Sequence, residues 1–291
     1  MTTVGVVSGK GGTGKTVVTA ALADCIPGAK VFADCDVDAA NLSLILGPDH
    51  TESRPYSGLP CAVIDPARCT SCGICREHCR FDAIREAGTG MQVDPLRCEG
   101  CGVCERVCPE GAVTLEPRQA GEVHRSTTAA GPLAHADLFP GSGTSGLLVH
   151  EVKRDAVAMR SGEAIILCDG PPGIGCPAMA TLSGLDAAVI VTEPSVSALH
   201  DLTRLVRVCR GFSARLFVVI NRSDLDPACA AAIKTYCAVE GLFLLGTIPF
   251  DPAVIAAVRK GVPVTRTPSP AASAMRVISR RLREALGDAN E

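Results

Sequence analysis

A glycine-rich motif near the start of the chain constrains the fold more than any other stretch. Residues 9–16, GKGGTGKT, fit the pattern G-x-x-x-x-G-K-[ST] and follow an apolar run that begins at Thr3. In such a motif successive backbone N–H groups curl round a phosphate, a lysine reaches the outer phosphates, and the last hydroxyl ligates Mg²⁺ at a helix N-terminus. A ligand-free glycine turn would not explain why a strand, the full motif and a helix follow one another. We therefore predict a site for a nucleoside triphosphate, formed by Gly11, Gly12, Thr13, Gly14, Lys15 and Thr16.

Composition narrows the setting of this motif. No run of about 18 apolar residues occurs in the 291-residue chain, which argues against a transmembrane span. A first strand at Thr3 leaves no room for a signal peptide. Sixteen cysteines beside such a motif indicate metal ligation in a reducing cytoplasm rather than disulfides. The balance of 28 Lys and Arg against 31 Asp and Glu leaves no basic field that would indicate nucleic acid.

Apolar strands alternate with helices along most of the chain. The pattern predicts strands at residues 3–8, 30–33, 123–128, 164–168, 187–192, 216–221 and 242–246, and helices at 15–26, 39–46, 147–159, 196–210, 227–239 and 271–286. Residues 129–146 are expected to form an extended loop or a short strand with turns. Since short βαβ connections are right-handed, we expect an α/β fold: a largely parallel P-loop NTPase sheet flanked by helices, with nucleotide at its C-terminal edge.

Between Cys61 and Pro117 the alternation stops and the sequence repeats itself. Residues 65–69, DPARC, correspond to residues 94–98, DPLRC, and every cysteine of the segment obeys the same displacement of 29 residues. Two runs of the form C-x₂-C-x₂-C-x₃-C result, at residues 69–79 and 98–108. We therefore expect an inserted domain at 61–117 within an ATPase domain made of 1–60 and 118–291. The insert is expected to leave the sheet edge after the Asp36 region.

The spacing of the cysteines suits an iron–sulfur cluster. Three thiolates along a tight turn, each separated from the next by two residues, can face three corners of one cubane cluster. The fourth ligand must come from elsewhere. Over its whole length the segment resembles the two-cluster bacterial ferredoxins, small α+β domains in which the fourth cysteine of each run ligates the other cluster. Zinc sites are the alternative, but they usually have different spacing. The resemblance implies two 4Fe-4S clusters, held by Cys69, Cys72, Cys75 and Cys108 (the cluster 1 set) and by Cys98, Cys101, Cys104 and Cys79 (the cluster 2 set).

The two halves of the repeat differ beside their last cysteines. Pro109 follows Cys108, whereas Arg80 follows Cys79. Because charge and hydrogen bonds near the sulfurs set the potential of a cluster, this difference is expected to separate the two potentials. The segment also carries a net acidic charge, which suits a transient redox partner with a basic patch but equally suits a solvated surface lobe.

An aspartate ends one of the later predicted strands. Asp169 follows the apolar run from Ala164 to Cys168 and precedes Gly170-Pro171-Pro172-Gly173. In P-loop NTPases an aspartate at the end of a buried strand holds Mg²⁺, here through water, and the loop after it senses the γ-phosphate. With this motif the chain resembles the MinD/Mrp group of deviant-Walker P-loop ATPases, within it the subfamily that contains an inserted two-cluster ferredoxin. The further motifs that carry the likeness are residues 9–12 (GKGG), 34–36 (DCD), 192–194 (TEP), 220–222 (INR) and 248–251 (IPFD).

The resemblance implies roles for individual residues. Lys10 corresponds to the signature lysine that reaches the partner's phosphates across a nucleotide-sandwich dimer. Asp36 corresponds to the switch I residue that orients the attacking water, Asp169 to the switch II carboxylate on the metal side, and Lys15 to the phosphate-binding lysine. A solvated Lys10, a strand-end cap at Asp36 and a turn-forming Asn221 remain the alternatives. The residues implied at the adenine base are Asn221, Pro249 and Asp251.

Two functions are consistent with these residues. In the first, ATP hydrolysis in a homodimer, or a heterodimer with a paralogue, gates electron transfer through the two clusters to or from a redox partner. In the second, the chain assembles or delivers iron–sulfur clusters or another metal cofactor, with slow ATPase activity. Ligation by eight cysteines favours the first. Cys176 is the one candidate for a dimer-bridging thiolate, but a buried small apolar residue is the favoured alternative for it, as for the other cysteines outside the two runs. The amphipathic segment from Ala271 to Leu286 is expected to pack on the sheet rather than on a membrane.

Overall fold

A computed structural model describes residues 2–88 and 90–287 of the chain. In chain order the strands are β1 (Thr3–Ser8), β2 (Lys30–Asp34), β3 (His50–Ser57), β4 (Cys61–Ile64), β5 (Ile84–Ala87), β6 (Gly90–Val93), β7 (Val113–Glu116), β8 (Gln119–Thr128), β9 (Gly131–Leu138), β10 (Ile165–Pro172), β11 (Ala187–Thr192), β12 (Arg215–Ile220) and β13 (Phe243–Thr247). The helices are α1 (Lys15–Cys25), α2 (Leu42–Leu46), α3 (Ile74–Glu77), α4 (Val103–Val107), α5 (Ser145–Ala158), α6 (Cys176–Leu182), α7 (Val196–Cys209), α8 (Pro227–Val239), α9 (Pro252–Arg259) and α10 (Pro270–Leu286).

One sheet organises the molecule. Within the described residues it has nine strands in the order β13-β12-β11-β1-β10-β2-β9-β8-β3. Every pairing from β13 to β9 is parallel. The central strand β1 is buried on both faces along its whole length, as its β-branched run predicts. This is the predicted α/β P-loop NTPase fold with a largely parallel sheet, and β1 and β10 lie side by side, which brings the P-loop and Asp169 to the same edge.

The other end of the sheet is antiparallel, which the sequence analysis did not foresee. β8 pairs antiparallel with β9 and with β3. The expectation of a loop or short strand at residues 129–146 is corrected here, because residues 131–138 form a full strand parallel to β2. Two antiparallel pairings separate β3 from β9, so β3 runs in the same direction as β2 and ends at the P-loop edge. The chain thus leaves the sheet for residue 61 from that edge, but after β3 rather than directly after Asp36.

Helices cover both faces of the parallel part of the sheet. α1, α2, α9 and α10 pack on one face and share a core with Phe32 and Leu167. α5, α6, α7 and α8 pack on the opposite face around Ile166 and Ile190. Met275, Ile278 and Leu282 of α10 are buried in the first of these cores, so the amphipathic segment packs on the sheet as expected. None of the helices in the described ranges is long and apolar enough to span a bilayer.

Residues 61–116 form two small hairpin-like sheets away from the main sheet. β4 pairs with β7, and β5 pairs with β6, both antiparallel. Each cysteine run contains a short helix that begins after a glycine with positive φ, at Gly73 (φ 80°) and Gly102 (φ 77°). A side chain at either glycine would be strained, which explains why glycine recurs at this point of the repeat. Strands of four residues are too short to give a periodic pattern, and the sequence therefore indicated none.

Most predicted element bounds agree with the structure within two residues. There are three exceptions. Only Leu42–Leu46 of the helix expected at residues 39–46 is helical, the strand expected at 123–128 begins at Gln119, and the strand expected at 164–168 continues to Pro172. The strand β3 was not predicted. Its burial pattern is mostly exposed, and an edge strand that faces solvent shows little of the apolar alternation on which strand prediction depends.

Candidate functional site

The glycine-rich motif forms an open loop between β1 and α1. Gly12 and Gly14 adopt positive φ values of 77° and 94°, which only glycine adopts without strain. Space for a further group is present beside Gly11 and Gly12, because no atom lies within 4 Å of a Cβ built on either residue. The Thr13 hydroxyl is buried and has no hydrogen-bond partner in the described structure. A backbone loop that is open to solvent and contains a buried hydroxyl without a hydrogen-bond partner fits a bound phosphate group.

Asp169 lies under this loop, within β10 and not at its end, because the strand continues to Pro172. Its Oδ1 accepts a hydrogen bond of 2.8 Å from the Thr19 hydroxyl, and the Thr16 side chain also donates to the carboxylate. Burial raises the pKa of Asp169 to about 6 against the effect of these donors. Burial likewise lowers the pKa of Lys15, although Asp169, Asp36 and Asp34 oppose that shift. The structure thus brings Thr16, Lys15 and Asp169 together, the arrangement that the sequence analysis expected for a magnesium-bound phosphate.

A second buried carboxylate, Asp34, shapes the loop that carries Asp36. Asp34 accepts hydrogen bonds from the backbone N–H of Asp36 (3.2 Å) and of Leu42 (3.0 Å), and it is fully buried. Burial raises its pKa well above the usual range, and Asp169 adds to this effect. Asp36 itself remains half-buried near Lys15, and burial raises its pKa too. No individual role for Asp34 was predicted from the sequence. Its place immediately after a buried apolar run was the available signal.

Lys10 is engaged within its own chain. Its Nζ forms an ion pair of 2.7 Å with Glu193 and lies 3.3 Å and 3.4 Å from the hydroxyls of Ser195 and Ser197. Glu193 is shared, because Arg222 approaches its other carboxylate oxygen at 3.2 Å. Lys10 is therefore neither free in solvent nor directed at the P-loop. Glu193 and the two serines were not predicted as site residues, although Glu193 belongs to one of the motifs that carry the family resemblance.

The residues implied at the base lie at the neighbouring strand ends. Asn221 follows β12 and is mostly buried, and its Nδ2 donates a 2.8 Å hydrogen bond to the Thr13 carbonyl oxygen. Its Oδ1 accepts from the Arg222 N–H, so this amide joins the P-loop to the end of β12. Asp251 caps α9 by accepting from Ala253 N–H and also accepts from Ala271 N–H. Both Asp251 oxygens are thus occupied, and Pro249 lies two residues before this cap in the β13–α9 loop.

The eight cysteines of the two runs gather in two groups. One small cavity is lined by Cys69, Cys72, Cys75 and Cys108. A second small cavity is lined by Cys79, Cys98, Cys101 and Cys104. In each group three cysteines come from one run and the fourth comes from the other run.

Backbone N–H groups donate hydrogen bonds to two of these sulfurs, and burial raises the pKa of two other thiols. The Ala62 N–H donates to Cys98 Sγ at 3.5 Å, and the Ala112 N–H donates to Cys108 Sγ at 3.3 Å. Burial raises the pKa of the Cys104 thiol to about 11 and also raises that of Cys75. Among the described residues no three His, Cys, Asp or Glu side chains converge tightly enough for a single metal ion. The four thiolates of a cubane cluster can lie further apart than the ligands of a single ion, because each thiolate binds a different iron.

A chain of contacts connects the Asp36 loop with the second cysteine run. The Leu138 N–H at the end of β9 donates to the Val37 carbonyl oxygen at 3.1 Å. The following loop then meets the cysteine-rich segment: a Cβ built on Gly141 would lie 3.4 Å from Leu96, and one on Gly143 would lie 3.5 Å from Glu99. Leu96 and Glu99 flank Cys98. The stretch 129–146, whose role could not be inferred from the sequence, thus lies between the two candidate sites.

Cys176 stands apart from both cysteine groups. It is exposed at the start of α6 and lines an open groove with apolar side chains that include Leu59, Leu147, Met179 and Phe212. No second thiol of the described chain lines this groove. Its exposure shows that the expectation of a buried small apolar residue at position 176 was wrong, and a bridging role across a dimer stays a prediction from the sequence.

The comparisons with known proteins agree with this fold. The family model described as the CobQ/CobB/MinD/ParA nucleotide-binding domain matches residues 4–264. The chain therefore belongs to the CobQ/CobB/MinD/ParA family, and it is a P-loop ATPase.

Individual relatives lie at moderate distance. An uncharacterised protein of Methanocaldococcus jannaschii is 31% identical over 228 residues, covering 77% of this chain and 79% of that protein. A cytosolic Fe-S cluster assembly factor Nubp1 homolog of Drosophila willistoni is 25% identical over 138 residues, covering 40% of this chain and 45% of that protein. The septum site-determining protein MinD of Pyrococcus horikoshii, solved with Mg-ADP, superposes with a TM-score of 0.61 at 22% identity over 100% of this chain and 99% of that one. The last likeness concerns the fold alone.

Proposed function

We propose that this ATPase uses its nucleotide-dependent dimer state to gate electron transfer through two 4Fe-4S clusters held by an inserted ferredoxin-like domain at residues 61–117. The observation that carries the proposal is the grouping of the cysteines: the cluster 1 set lines one cavity and the cluster 2 set lines another. Each set combines three thiols of one run with the fourth thiol of the other. This exchange is the ligation pattern of two-cluster bacterial ferredoxins.

The residues around the cysteines fit such clusters. Backbone N–H groups at Ala62 and Ala112 already donate to ligand sulfurs, and such donors stabilise the negative charge of cluster thiolates. The cavities have apolar walls, with Met91 and Val113 beside the cluster 1 set and Phe81 and Leu115 beside the cluster 2 set. A 4Fe-4S cluster supplies one-electron redox chemistry when bound. The protein contributes ligands, exclusion of water, and hydrogen bonds that set the potential.

At the nucleotide site each polar group has a task. The P-loop N–H groups and Lys15 bind the phosphates, Thr16 and the carboxylate of Asp169 position Mg²⁺, and Asp36 orients the attacking water. Asn221 and Pro249 lie on the side of the base. Asp251 acts through its cap of α9, since both of its oxygens are already hydrogen-bonded. We assign Asp34 the task of holding the Asp36 loop in place through its two backbone hydrogen bonds.

Dimerisation provides the change of state. Proteins of the MinD/ParA family dimerise on binding ATP, and a ligand shifts an equilibrium only if it binds the two states with different affinity. We propose that Lys10 supplies this difference by leaving Glu193 and pairing with the partner's phosphates. Movement of the Asp36 loop then reaches the inserted domain through Val37, Leu138 and the loop 139–143.

An assembly function is the second candidate. Similarity to a protein named as a cytosolic Fe-S cluster assembly factor favours it. In that case the clusters would be cargo, passed to an acceptor during the ATPase cycle. Four thiolates per cluster, together with half-buried ligands such as Cys69 and Cys104, argue for resident clusters instead.

The two functions are separated by an anaerobic experiment on the full chain. Cluster potentials are measured with Mg-ADP and with Mg-ATP, and the same protein is then incubated with an apo-ferredoxin acceptor. A nucleotide-dependent potential without loss of iron supports gating. Intact transfer of the clusters, with potentials that do not respond to nucleotide, would instead establish the assembly function.

The dimer is tested through Lys10. Lys10→Ala is expected to abolish ATP-dependent dimerisation while leaving iron and sulfide content unchanged, which light scattering and metal analysis would measure. Lys10→Ala protein that still dimerises on ATP would contradict the proposed role of this lysine.

A further inference from the structure

The inserted domain has internal two-fold symmetry, and the symmetry is broken beside one cysteine. The displacement of 29 residues relates β4 to β6 and β5 to β7, and the observed pairings β4–β7 and β5–β6 are equivalent under it. Each of the strands β4 and β6 lies beside the first cysteine of the other run. Ala62 in β4 donates to Cys98 Sγ, and Gly90 in β6 lies against Cys69.

Position 61 is the point of asymmetry. Cys61, the first residue of β4, is half-buried beside Cys98 and Arg118. Its Sγ lies 3.6 Å from the Ala62 carbonyl oxygen, so the S–H has two acceptors within reach, this oxygen and the Cys98 sulfur. Its symmetry equivalent is Gly90, which has no side chain. A Cβ built on Gly90 would lie 3.6 Å from Cys69 Sγ, an ordinary contact distance. The two positions therefore face their cysteines in the same way, but a thiol is present only beside Cys98.

The surroundings hold the Cys61 thiol at the Cys98 sulfur. The carbonyl oxygen of Pro60, one residue earlier, lies so close to Gly100 that a Cβ there would overlap it. Gly100 has a φ of 62° and lies two residues after Cys98. Backbone packing between Pro60 and Gly100, and the hydrogen bond from Ala62, thus fix β4 against the start of the second cysteine run on both sides of position 61.

We propose that Cys61 is a positioning residue that donates its S–H to the Cys98 sulfur and thereby raises the reduction potential of the cluster 2 site above that of the cluster 1 site. The inference rests on the proposed binding of two clusters. A hydrogen bond to a ligand sulfur withdraws negative charge from it, and this stabilises the more negative, reduced state. The ninth thiol is accordingly a donor to a ligand and not itself a ligand.

Arg80 is a second difference between the halves, and the test must separate the two. Arg80 follows Cys79 in the cluster 2 set, whereas Pro109 follows Cys108 in the cluster 1 set. Both differences would raise the potential at the same site. Substitutions at position 61 leave Arg80 unchanged, and a thiol introduced at position 90 acts at the other site. Any change in a cluster potential in these variants is therefore caused by the thiol and not by Arg80.

The experiment compares wild type with Cys61→Ala, Cys61→Ser and Gly90→Cys. Each full-length protein is prepared anaerobically, its iron and sulfide are quantified, and the two potentials are measured by redox titration followed by electron paramagnetic resonance. Cys61→Ala is expected to lower one of the two potentials and to leave iron content unchanged. Cys61→Ser keeps an O–H donor and should retain most of the wild-type value. Gly90→Cys is expected to raise the other potential, bringing the two closer together.

The possible failures are distinguishable. Wild-type protein without the iron and sulfide of two four-iron clusters would overturn the proposed function and this inference together. Two loaded clusters whose potentials are unchanged in Cys61→Ala would overturn this inference alone. Loss of iron from both position-61 variants would show that Cys61 is a ligand, and a Gly90→Cys shift in the same potential as Cys61→Ala would contradict the symmetry on which the inference depends.

Discussion

Lys10 is held by an acidic side chain of its own subunit, and this contact decides how readily it can serve a partner. Glu193 accepts Lys10 at 2.7 Å and Arg222 at 3.2 Å, with both carboxylate oxygens in use. A lysine that must reach the phosphates of a second subunit has to leave this pair first. If Lys10 acts on the partner's phosphates as proposed, we expect this ion pair to stabilise the monomer and to oppose dimerisation.

Glu193→Gln should favour the dimer for this reason. A partly buried ion pair of this kind contributes about 1 kcal/mol, so we expect the variant to dimerise at roughly five-fold lower ATP concentration than wild type. Light scattering during an ATP titration measures the midpoint directly.

Arg222→Gln is the matched control for Glu193→Gln. It removes the other partner of the same carboxylate and leaves the Lys10 ion pair in place. We expect no shift towards lower ATP concentration in this variant. A shift equal to that of Glu193→Gln would show that general loss of charge, rather than release of Lys10, is responsible.

Asp36 is expected to act in hydrolysis and not in binding. Its carboxylate is half-buried near Lys15 at the open edge of the sheet, while Asp34 supports its loop from below. Asp36→Ala should lower the rate of phosphate release by roughly 10²- to 10⁴-fold, the range of a positioned general base or acid. ATP-dependent dimerisation should persist. A variant that hydrolyses ATP at the wild-type rate would remove Asp36 from the mechanism.

At the scale of elements, the parallel half of the fold could be predicted from the sequence and the antiparallel half could not. β1 and β11 are uninterrupted apolar runs next to helices with clear periodicity, and both bounds agree with the prediction. β3 and β9 instead carry His50, Glu52, His135 and Asp137, because one face of each is open to solvent. The candidate site was likewise predictable only in part. The P-loop is a contiguous motif, whereas Glu193 approaches Lys10 only through the packing of β11 beside β1.

The antiparallel strands contain a histidine that is expected to give the fold an acid sensitivity. His135 of β9 lies beside His124 and shares a 2.9 Å hydrogen bond with the Ser126 hydroxyl, while Asp137 lies nearby. Burial first, and then His124, lowers the pKa of His135 from 6.5 to about 4. The unfolded chain therefore binds the proton first as pH falls. Stability from this group is complete above about pH 6.5 and is lost progressively towards pH 4.

His135→Gln should remove part of this dependence. The full pKa difference corresponds to about 3 kcal/mol, and solvent screening of the partly exposed ring reduces our expectation to about 1 to 2 kcal/mol. Urea unfolding at pH 7 and pH 4.5 measures the loss in wild type and its reduction in the variant. His50→Gln, at an exposed side chain of β3, serves as the control. Equal losses in wild type and His135→Gln would contradict the prediction.

At the scale of the whole molecule, the two candidate sites are linked through the second half of the cysteine-rich segment 61–117. The Leu96 and Glu99 side chains lie beside Gly141 and Gly143, and the Arg118 guanidinium donates to the Pro95 carbonyl oxygen. The cluster 2 set therefore lies on the side of this segment that faces the sheet. If nucleotide state alters a potential, we expect the change at this site, since Cys98 lies between Leu96 and Glu99 and β4 leads to it directly from the edge strand.

Leu96→Ala tests this coupling. Leu96 is 73% exposed, so its removal should leave folding, cluster content and ATP hydrolysis unchanged. It would nevertheless remove the apolar contact with the loop 139–143, and the difference in the cluster 2 potential between Mg-ADP and Mg-ATP should shrink. The repeat supplies a control, because the symmetry equivalent of Leu96 is Ala67. Ala67→Leu adds the same side chain to the other half and should leave the nucleotide response at its wild-type value. An undiminished response in Leu96→Ala would mean that nucleotide state reaches the cluster by a route other than this loop.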